Sequence, residues 1–250
     1  MQSTELLNVI LDIGEFFLKS KAEVYRVEDS IERMLFAYGA ERVDVFAIPS
    51  LITATIKMPN EEPQTYNRRV RTSSVNLHAV SELNALCRNI CATTPDCKEI
   101  EKQLLHITSE KTYSPFLMMV AYTVSASSFT LFFGGAWSDG LASALSGFLL
   151  FFVVTLMNKA DVVPAFFHLI GAATAAGTAM LFVHMGIGIH VENIIIGNLM
   201  PLVPGLIFTN GMRDLFVGDF MAGIFNLGQA IFFASILAIG GAFVLSLGGV

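Results

Sequence analysis

The stretch "NLMPLVPGLIFTNGMRDLFVGD", residues 198–219, begins as an apolar run that approaches the length of a membrane helix. Two prolines, Pro201 and Pro204, interrupt it, Gly205 follows at once, and an Arg-Asp pair ends the run. Each proline lacks a backbone N–H and frees a carbonyl one turn earlier, which in lipid needs another partner. The stretch therefore predicts a membrane helix that is broken, although a simple kink remains an alternative.

Long uncharged runs surround this stretch. They cover residues 112–138, 140–158, 162–191, 193–212 and 220–250. A helix needs roughly 20 apolar residues to cross the hydrocarbon core. We predict five transmembrane helices, near residues 116–134, 139–157, 164–184, 192–210 and 224–247.

The composition divides the chain into a polar and an apolar part. Of 250 residues, 54% are hydrophobic and 14% charged, and the mean hydropathy of +0.62 is too high for an ordinary soluble protein. Residues 1–112 hold 13 of the 15 basic and 16 of the 21 acidic residues. We predict a cytoplasmic α+β domain over 1–112 and a membrane domain over 113–250. The net charge of −6, without a basic face, excludes nucleic acid as a partner.

The polar part alternates between helical and strand periodicity. Helices are predicted over 3–20, Val24 to Tyr38, 75–92 and 96–110, and strands over "RVDVFAI", "LITATIKM" and "QTYNRRVRT". The order α-α-β-β-β-α-α predicts a small antiparallel sheet covered by helices. The three cysteines, in a chain that opens without a signal-peptide pattern, are expected to be free thiols.

The charged side chains of the polar part can form ion pairs or face solvent at the surface of the domain. The spacings of Arg26–Asp29 (i,i+3) and Asp29–Arg33 (i,i+4) predict helix ion pairs. Arg68, Arg69 and Arg71 are expected to alternate across the third strand, so that Arg69 and Arg71 share one face. That face either is solvated or meets an anionic substrate or lipid.

The basic residues also predict the orientation of the spans. Thirteen of them precede the first span, the last being Lys111, and the later two, Lys159 and Arg213, fall in the second and fourth connections. The connections at 134–138 and 185–191 contain none. We therefore expect a cytoplasmic N-terminus and an extracytoplasmic C-terminus.

Polar groups in or beside the spans are candidates for a substrate pathway or gate, since such groups are costly in a membrane. Asp139, which follows Trp137 closely, either has such a role or caps a helix at the interface. Arg213 and Asp214, with Asp219 beyond them, either mark the cytoplasmic end of the fourth span or form an inner gate.

Further candidates are neutral or lie near span ends. Thr209 and Asn210 can hydrogen-bond a carboxylate or hydroxyl of a substrate. His168 and His184 can relay protons or simply pack, and Glu192 is a proton site or an interfacial charge.

Five segments occur in an order that resembles the threonine/serine exporter family over nearly the whole chain. They are "AEVYRVEDSIERMLFAYGA", "VFAIPSLITATI", "RVRTSSVNLHAVSELNALCR", "LFFGGAWSDG" and "MPLVPGLIFTNGMRDLFVGDFMAG". In the first segment, Glu23, Arg26, Glu28 and Asp29 are candidate residues of the cytoplasmic domain. One departure from the family is Asn226, at a place where its members often have a basic residue.

The resemblance implies secondary export of small polar metabolites across the cytoplasmic membrane, coupled to proton movement. It implies threonine and serine as substrates, or a dicarboxylate such as succinate for split pairs. This chain resembles the larger subunit of a split pair, so a small membrane partner subunit or a homo-oligomer is expected, together with membrane lipid.

The odd number of spans supports a partner independently, because a second five-span half would run inverted, as in many secondary transporters. The sequence has no phosphate-binding loop for ATP, and neither a cofactor nor a metal site is expected. Two other classes of protein stay open: a membrane-tethered hydrolase, for which no catalytic spacing is evident, and a ligand-sensing membrane protein.

Overall fold

The structure, a computed structural model, describes residues 2–109 and 113–248. Lys111, residue 110 of the predicted helix 96–110, and the predicted boundary at 112 lie outside the described residues. The chain forms two compact units. The first comprises the described residues before Tyr113 together with Leu206–Gly228, and the second comprises Tyr113–Gly205 and the described residues from Gln229 onward.

The first unit begins with a three-stranded sheet and four helices. Its elements are α1 (Gln2–Lys19), α2 (Val24–Ala37), β1 (Arg42–Ile48), β2 (Leu51–Lys57), β3 (Gln64–Arg69), α3 (Leu77–Thr93) and α4 (Cys97–Ser109). The predicted order α-α-β-β-β-α-α is confirmed. The sheet is antiparallel in the order β1-β2-β3, and a two-residue turn at Pro49 and Ser50 joins the first two strands.

The core of this unit lies between the helices and one face of the sheet. Phe17, Ile31, Ile52, Leu83 and Ile90 are all at most 1% exposed and come from α1, α2, β2 and α3. Apolar side chains recur at helical spacing in α1 and α2 and at alternate positions in β2. This shared burial is what fixes the helices to the sheet.

The third strand is shorter than predicted. Leu51, the first residue of β2, already pairs with Arg69, so β3 has no strand partner beyond that position. Arg71 therefore lies outside the strand, and the prediction that Arg69 and Arg71 share one strand face is wrong. Arg68 is bound on the other face by Asp12, at 3.0 Å from its Nε.

The apolar part of the chain forms six helices within the described residues. They are α5 (Pro115–Phe132), α6 (Trp137–Lys159), α7 (Pro164–His184), α8 (Val191–Leu199), α9 (Gly205–Val217) and α10 (Phe220–Gly248), with a 3₁₀ turn over Met200–Leu202. By length and composition α5, α6, α7 and α10 can each span a membrane. A fifth span results if α8, the 3₁₀ turn and α9 count as one broken span. The fold is that of a mostly helical, multi-pass membrane protein.

The broken span ends later than predicted. We expected the fourth span to stop near residue 210 and a connection to occupy 211–219, but α9 continues to Val217. No proline stands between Gly205 and Gly218, Gly211 stays helical, and Gly218 stops the helix in the left-handed region at φ +101. Arg213 and Asp214 are therefore helical residues, and α10 begins at Phe220 rather than near 224.

Small residues bring the helices of the second unit together. Ala126, Ala142, Ala172 and Ala176 are all 0% exposed. Gly197 of α8 lies so close to α5 that a Cβ there would be 2.7 Å from the carbonyl oxygen of Ala126. Close backbone approach through small residues is the usual way membrane helices pack.

Candidate functional site

A stripe of buried polar side chains runs along one face of α6 in the second unit. Asp139, Ser143 and Ser146 follow each other at spacings of four and three residues, which places them on one helix face. All three are 0% exposed, in a helix that is mostly apolar. Each contacts a different neighbouring segment, so the stripe ties α6 to the other helices of its unit.

Asp139 joins two turns of the second unit through its carboxylate. Its Oδ1 accepts hydrogen bonds from the backbone N–H groups of Ile189 (2.6 Å) and His190 (3.0 Å). Its Oδ2 accepts one from the backbone N–H of Ala136 at 2.8 Å and lies 2.8 Å from Nδ1 of His190. The carboxylate thus fixes the start of α6 against the loop between α7 and α8.

The His190 side chain is the titratable partner in this arrangement. The hydrogen bond to Asp139 is the main cause that raises the pKa of His190 above its usual value, and the charges of Asp139 and Glu192 add to it. A charged imidazole is therefore favoured in the loop between α7 and α8 while Asp139 stays ionised.

Ser143 belongs to a buried chain of hydroxyl and amide groups. The Thr130 hydroxyl of α5 donates to Ser143 Oγ at 2.7 Å, and the Ser143 hydroxyl donates to Oδ1 of Asn198 at 2.9 Å. Thr130 and Asn198 are each 0% exposed. Within the described residues, Nδ2 of Asn198 has no hydrogen-bond partner, although its two N–H groups are buried. A buried donor without a partner costs about 1–3 kcal/mol.

The third member of the stripe, Ser146, contacts the next helix. Its hydroxyl is hydrogen-bonded to that of Thr178 in α7, which also donates to the Thr174 carbonyl at 2.8 Å. Hydroxyls that bond across helices can exchange these partners for a polar molecule at little cost, because each keeps a carbonyl of its own helix within reach.

Sequence reasoning found Asp139 but missed the rest of this stripe. Ser143, Ser146, Thr130, Asn198 and His190 were not among the predicted site residues. A signal was present, since Ser143 and Ser146 stand four and seven residues after Asp139 in an apolar run. Asp139 is not the N-cap that the sequence offered as its alternative: it lies third in α6, and its Oδ2 accepts the backbone N–H of the N-cap residue, Ala136.

Other predicted residues of the second unit stand apart from these bonds. Trp137 is 82% exposed at the first position of α6, and His184 and Glu192 are exposed. His168 packs edge-on against Phe233 with ring centroids 4.3 Å apart, and its Nδ1 is buried without a partner among the described residues. Roles for these residues in transport stay predictions.

The predicted break after α8 is present. Pro201 lies in the 3₁₀ turn, Val203 is extended with ψ 131, and α9 starts at Gly205 just after Pro204. The N–H of Val203 still reaches the Leu199 carbonyl at 3.1 Å. The helical hydrogen bonds therefore continue to Val203, and α9 begins two residues later at Gly205.

In the first unit, α9 is joined to α2 and to the residues before it. Nδ2 of Asn210 donates to the Lys21 carbonyl at 3.0 Å, and Arg213 forms an ion pair with Oε1 of Glu23. Oε2 of the same Glu23 lies 2.8 Å from Nε of Arg26. Glu23, which immediately precedes α2, thus holds one arginine from each helix.

These contacts correct one predicted ion pair. Arg26 pairs with Glu23 and not with Asp29, because Asp29 is bound by Arg33 at 2.8 Å one turn further along α2. The predicted Asp29–Arg33 pair is confirmed. Thr209, a predicted substrate contact, is exposed and donates to the carbonyl of Leu206 in its own helix.

Asp214 is the most enclosed charge of the first unit. It is 0% exposed, and its Oδ2 accepts a hydrogen bond from Nδ2 of Asn226 at 3.1 Å. Its Oδ1 has no hydrogen-bond partner among the described residues. Asn226 is the position at which the family resemblance led us to expect a basic residue, and its amide donates a hydrogen bond to Oδ2 of Asp214.

Two more carboxylates, those of Asp219 and Glu28, contribute negative charge near Asp214. Asp219 accepts the Ala222 N–H at 3.3 Å through Oδ1, while its Oδ2 is buried without a partner in the described chain. Glu28 of α2 accepts the Ala47 N–H at 2.6 Å. Burial raises the pKa of Glu28 to about 7, and the like charges of Asp219, Glu32 and Asp214 contribute further. The charges of the predicted residues Asp214 and Asp219 thus act on the predicted residue Glu28.

The described residues contain no group of three or more His, Cys, Asp or Glu side chains placed to hold a metal ion. Cys87, Cys91 and Cys97 are free thiols. The chemistry available is therefore hydrogen bonding by hydroxyls and amides in the second unit, and carboxylate and guanidinium charge in the first.

Comparison with known proteins gives two findings. A family model described as "Putative threonine/serine exporter" matches residues 8–248. A protein of Mycobacterium tuberculosis described as "Probable threonine/serine exporter" is 21% identical over 255 residues, which cover 100% of this chain and 47% of that protein. The chain thus spans about half the length of that relative. No solved structure matches the chain.

Proposed function

Since the chain belongs to the threonine/serine exporter family, a family of transporters rather than enzymes, we propose that it is a subunit of a secondary transporter. It exports small polar metabolites across the cytoplasmic membrane. The observation that carries this proposal is the buried polar stripe of α6, in which Ser143 leads to an unpaired amide of Asn198. Polar groups enclosed by membrane helices are expensive and are typical of substrate pathways.

The chemistry of the stripe favours threonine or serine over a dicarboxylate. Hydroxyl and amide groups match a substrate that has its own hydroxyl and a balanced charge. A dicarboxylate needs cationic partners, and Arg213, the only arginine in residues 113–250, is paired with Glu23. Succinate-type export therefore ranks second.

A second membrane half completes the transporter in this proposal. The chain covers 47% of the relative of similar description, and five spans would leave its ends on opposite sides of the membrane. A small partner subunit, or another copy of the chain, would supply the inverted half around a site at the bilayer midplane. The basic residues support a cytoplasmic N-terminus for the arrangement.

The ion pair of Arg213 with Glu23 forms the inner gate in this proposal. Backbone freed from helical hydrogen bonding at Pro204 is characteristic of transporter binding regions. The salt bridge from α9 to the residue before α2 can open and close at small cost, because Arg213 is largely exposed. The energy source is a proton gradient, in keeping with a sequence that has no ATP-binding loop.

Efflux of labelled threonine, serine and succinate tests the proposal. The full chain is expressed, alone and with candidate small partner subunits, in cells that lack endogenous exporters, with and without a proton uncoupler. We expect uncoupler-sensitive efflux of threonine and serine that exceeds succinate efflux. No efflux with any partner would contradict the proposal, and binding of these metabolites without flux would indicate a sensor instead.

Variants connect the result to the stripe. Ser143→Ala removes the hydroxyl that lies between Thr130 and Asn198, and we expect efflux to fall about tenfold, as the loss of one hydrogen bond of about 1.4 kcal/mol implies. Ser235→Ala is the matched control, because Ser235 is exposed on α10 and bonds only locally to Ile231 among the described contacts. Equal efflux from both variants would remove the stripe from the pathway.

A further inference from the structure

The carboxylates of Glu28, Asp214 and Asp219 come from three separate places in the first unit: α2, α9 and the turn before α10. We propose that they form a proton-binding site, which holds one proton at neutral pH and releases it as the pH rises. The proton turns one carboxylate into a carboxyl group, so that the site loses one negative charge and gains one O–H donor.

The first support is that Asp214 is a buried acceptor with an unused atom. It is fully enclosed, and Oδ1 has no hydrogen-bond partner among the described residues, although the backbone N–H of Val24 at the start of α2 faces the carboxylate. The buried Oδ2 of Asp219 is unpartnered as well. One such acceptor gains a donor when a neighbouring carboxyl supplies its O–H.

The second support is the charge around these groups. The negative charges of Asp219 in the turn, Glu32 on the same helix and Asp214 on α9 all act on Glu28 of α2 and disfavour its ionised form. Asp214 in turn meets Asp219 and Glu23, and from α10 only the neutral amide of Asn226. The neighbouring arginines Arg26 and Arg213 are both bound by Glu23.

Asp214 is fully buried and Glu28 and Asp219 are partly buried, so their like charges disfavour one another and favour the uptake of a proton or a metal cation. Metal is disfavoured because the described carboxylates do not converge into a group able to hold an ion. The pKa of Glu28, raised to about 7 chiefly by burial, makes it the group that exchanges the proton at neutral pH.

A consequence for the fold follows from the positions of the three groups. When Glu28 is protonated, repulsion across the contact between α2 and α9 is relieved and α9 is held. When the proton leaves, the negative charges oppose one another and α9 is loosened from α2. Its role in transport rests on the proposed function, whereas proton binding is measured without transport.

Infrared difference spectroscopy of the full chain in lipid tests the site. Carboxyl groups with ordinary pKa values are ionised above about pH 6, so a carboxylic C=O band that persists there and disappears near pH 7 reports a group such as this one. We expect this band in the wild-type chain and its loss in Glu28→Gln and in Asp214→Asn. Glu99→Gln, at an exposed carboxylate of α4, should keep the wild-type titration.

A third variant covers the case in which removal of Asp214 prevents folding. Asn226→Lys retains Asp214 and places an ammonium group beside it, so it should shift the midpoint of the titration to lower pH by at least one unit. No band above pH 6 in the wild type, or a band unchanged in Glu28→Gln and Asn226→Lys, would overturn the proposal. So would a titration that depends on sodium when sodium replaces choline at constant ionic strength.

The two proposals fail separately. Proton-driven efflux from a chain without the infrared band would leave the transport function standing and remove this site. A titrating band in a chain without efflux would support the proton site and remove its role in transport.

Discussion

Replacing Asp139 with asparagine should destabilise the second unit strongly, because the change removes one carboxylate oxygen from an arrangement of four hydrogen bonds. The asparagine carbonyl can keep the two N–H groups of Ile189 and His190 that now meet Oδ1. Its amide must then face the N–H of Ala136, which Oδ2 accepts at 2.8 Å in the wild type. That N–H loses its acceptor.

The magnitude follows from these contacts. Loss of a hydrogen bond to a charged group, with the donor left unsatisfied, costs about 1.5–3 kcal/mol. The two bonds that remain become neutral and roughly half as strong, which adds about 1–2 kcal/mol. We therefore expect Asp139→Asn to lower the free energy of unfolding by about 2.5–5 kcal/mol. An exposed substitution changes it by about 0.5 kcal/mol at most.

The assay uses the single tryptophan of the chain. Trp137 lies two residues before Asp139, so its fluorescence reports the start of α6 during denaturation of the purified protein in detergent micelles. Glu192→Gln is the control, since it removes one negative charge from an exposed side chain in the first turn of α8. Equal stability of Asp139→Asn and Glu192→Gln would refute the reasoning and show that the four bonds contribute nothing net.

Two further predictions concern the same unit. Gly197→Ala should lower the stability by about 1–3 kcal/mol in the same titration, because its Cβ would meet the Ala126 carbonyl oxygen at 2.7 Å and force α8 away from α5; an unchanged midpoint would contradict this. The bond to Asp139 raises the pKa of His190, so the stabilisation by its charged form is complete below about pH 6.5 and is lost as the pH rises through the raised pKa. His190→Gln should therefore flatten the fall in stability as the pH rises above about 6.5, and an equal slope in variant and wild type would exclude His190 as its source.

The fold could be predicted where the signal is local. Periodicity and turn residues placed the three strands and the helices of the first unit, and uncharged runs placed the apolar helices. The errors concern the ends of two elements, which depend on the length of a neighbouring strand in one case and on the position of a left-handed glycine in the other. β3 stops at Arg69 because β2 has no residue left to pair with it, and α9 passes residue 210 because the first left-handed glycine is Gly218.

The candidate site was less accessible to sequence reasoning for a physical reason. Asp139 was identified because a charge is conspicuous in an apolar run. Its partners are backbone N–H groups 50 and 51 residues away, at Ile189 and His190, and a backbone donor has no signature in the sequence. Asn198 looked like one more residue of an apolar segment, and only the approach of α8 to α5 makes its amide a buried group.

The position of Asn226 shows how a departure from a family pattern gains physical meaning. The sequence alone left its role open, because an amide replaces an expected basic residue. The structure places that amide 3.1 Å from Oδ2 of Asp214. A cation there would hold Asp214 ionised, whereas an amide satisfies one oxygen and leaves the other without a partner. The substitution therefore preserves the capacity of the carboxylate group to take up a proton.

Each unit retains one fully buried polar side chain with an unused atom: Nδ2 of Asn198 in the second and Oδ1 of Asp214 in the first. Each such atom costs about 1–3 kcal/mol, a large part of the stability of a typical domain. An apolar side chain of similar size would avoid that cost, so stability alone does not account for either residue. The cost is recovered if the unused atom meets a partner that comes and goes. For Asn198 the partner that we propose is a polar substrate, and for Asp214 it is a proton.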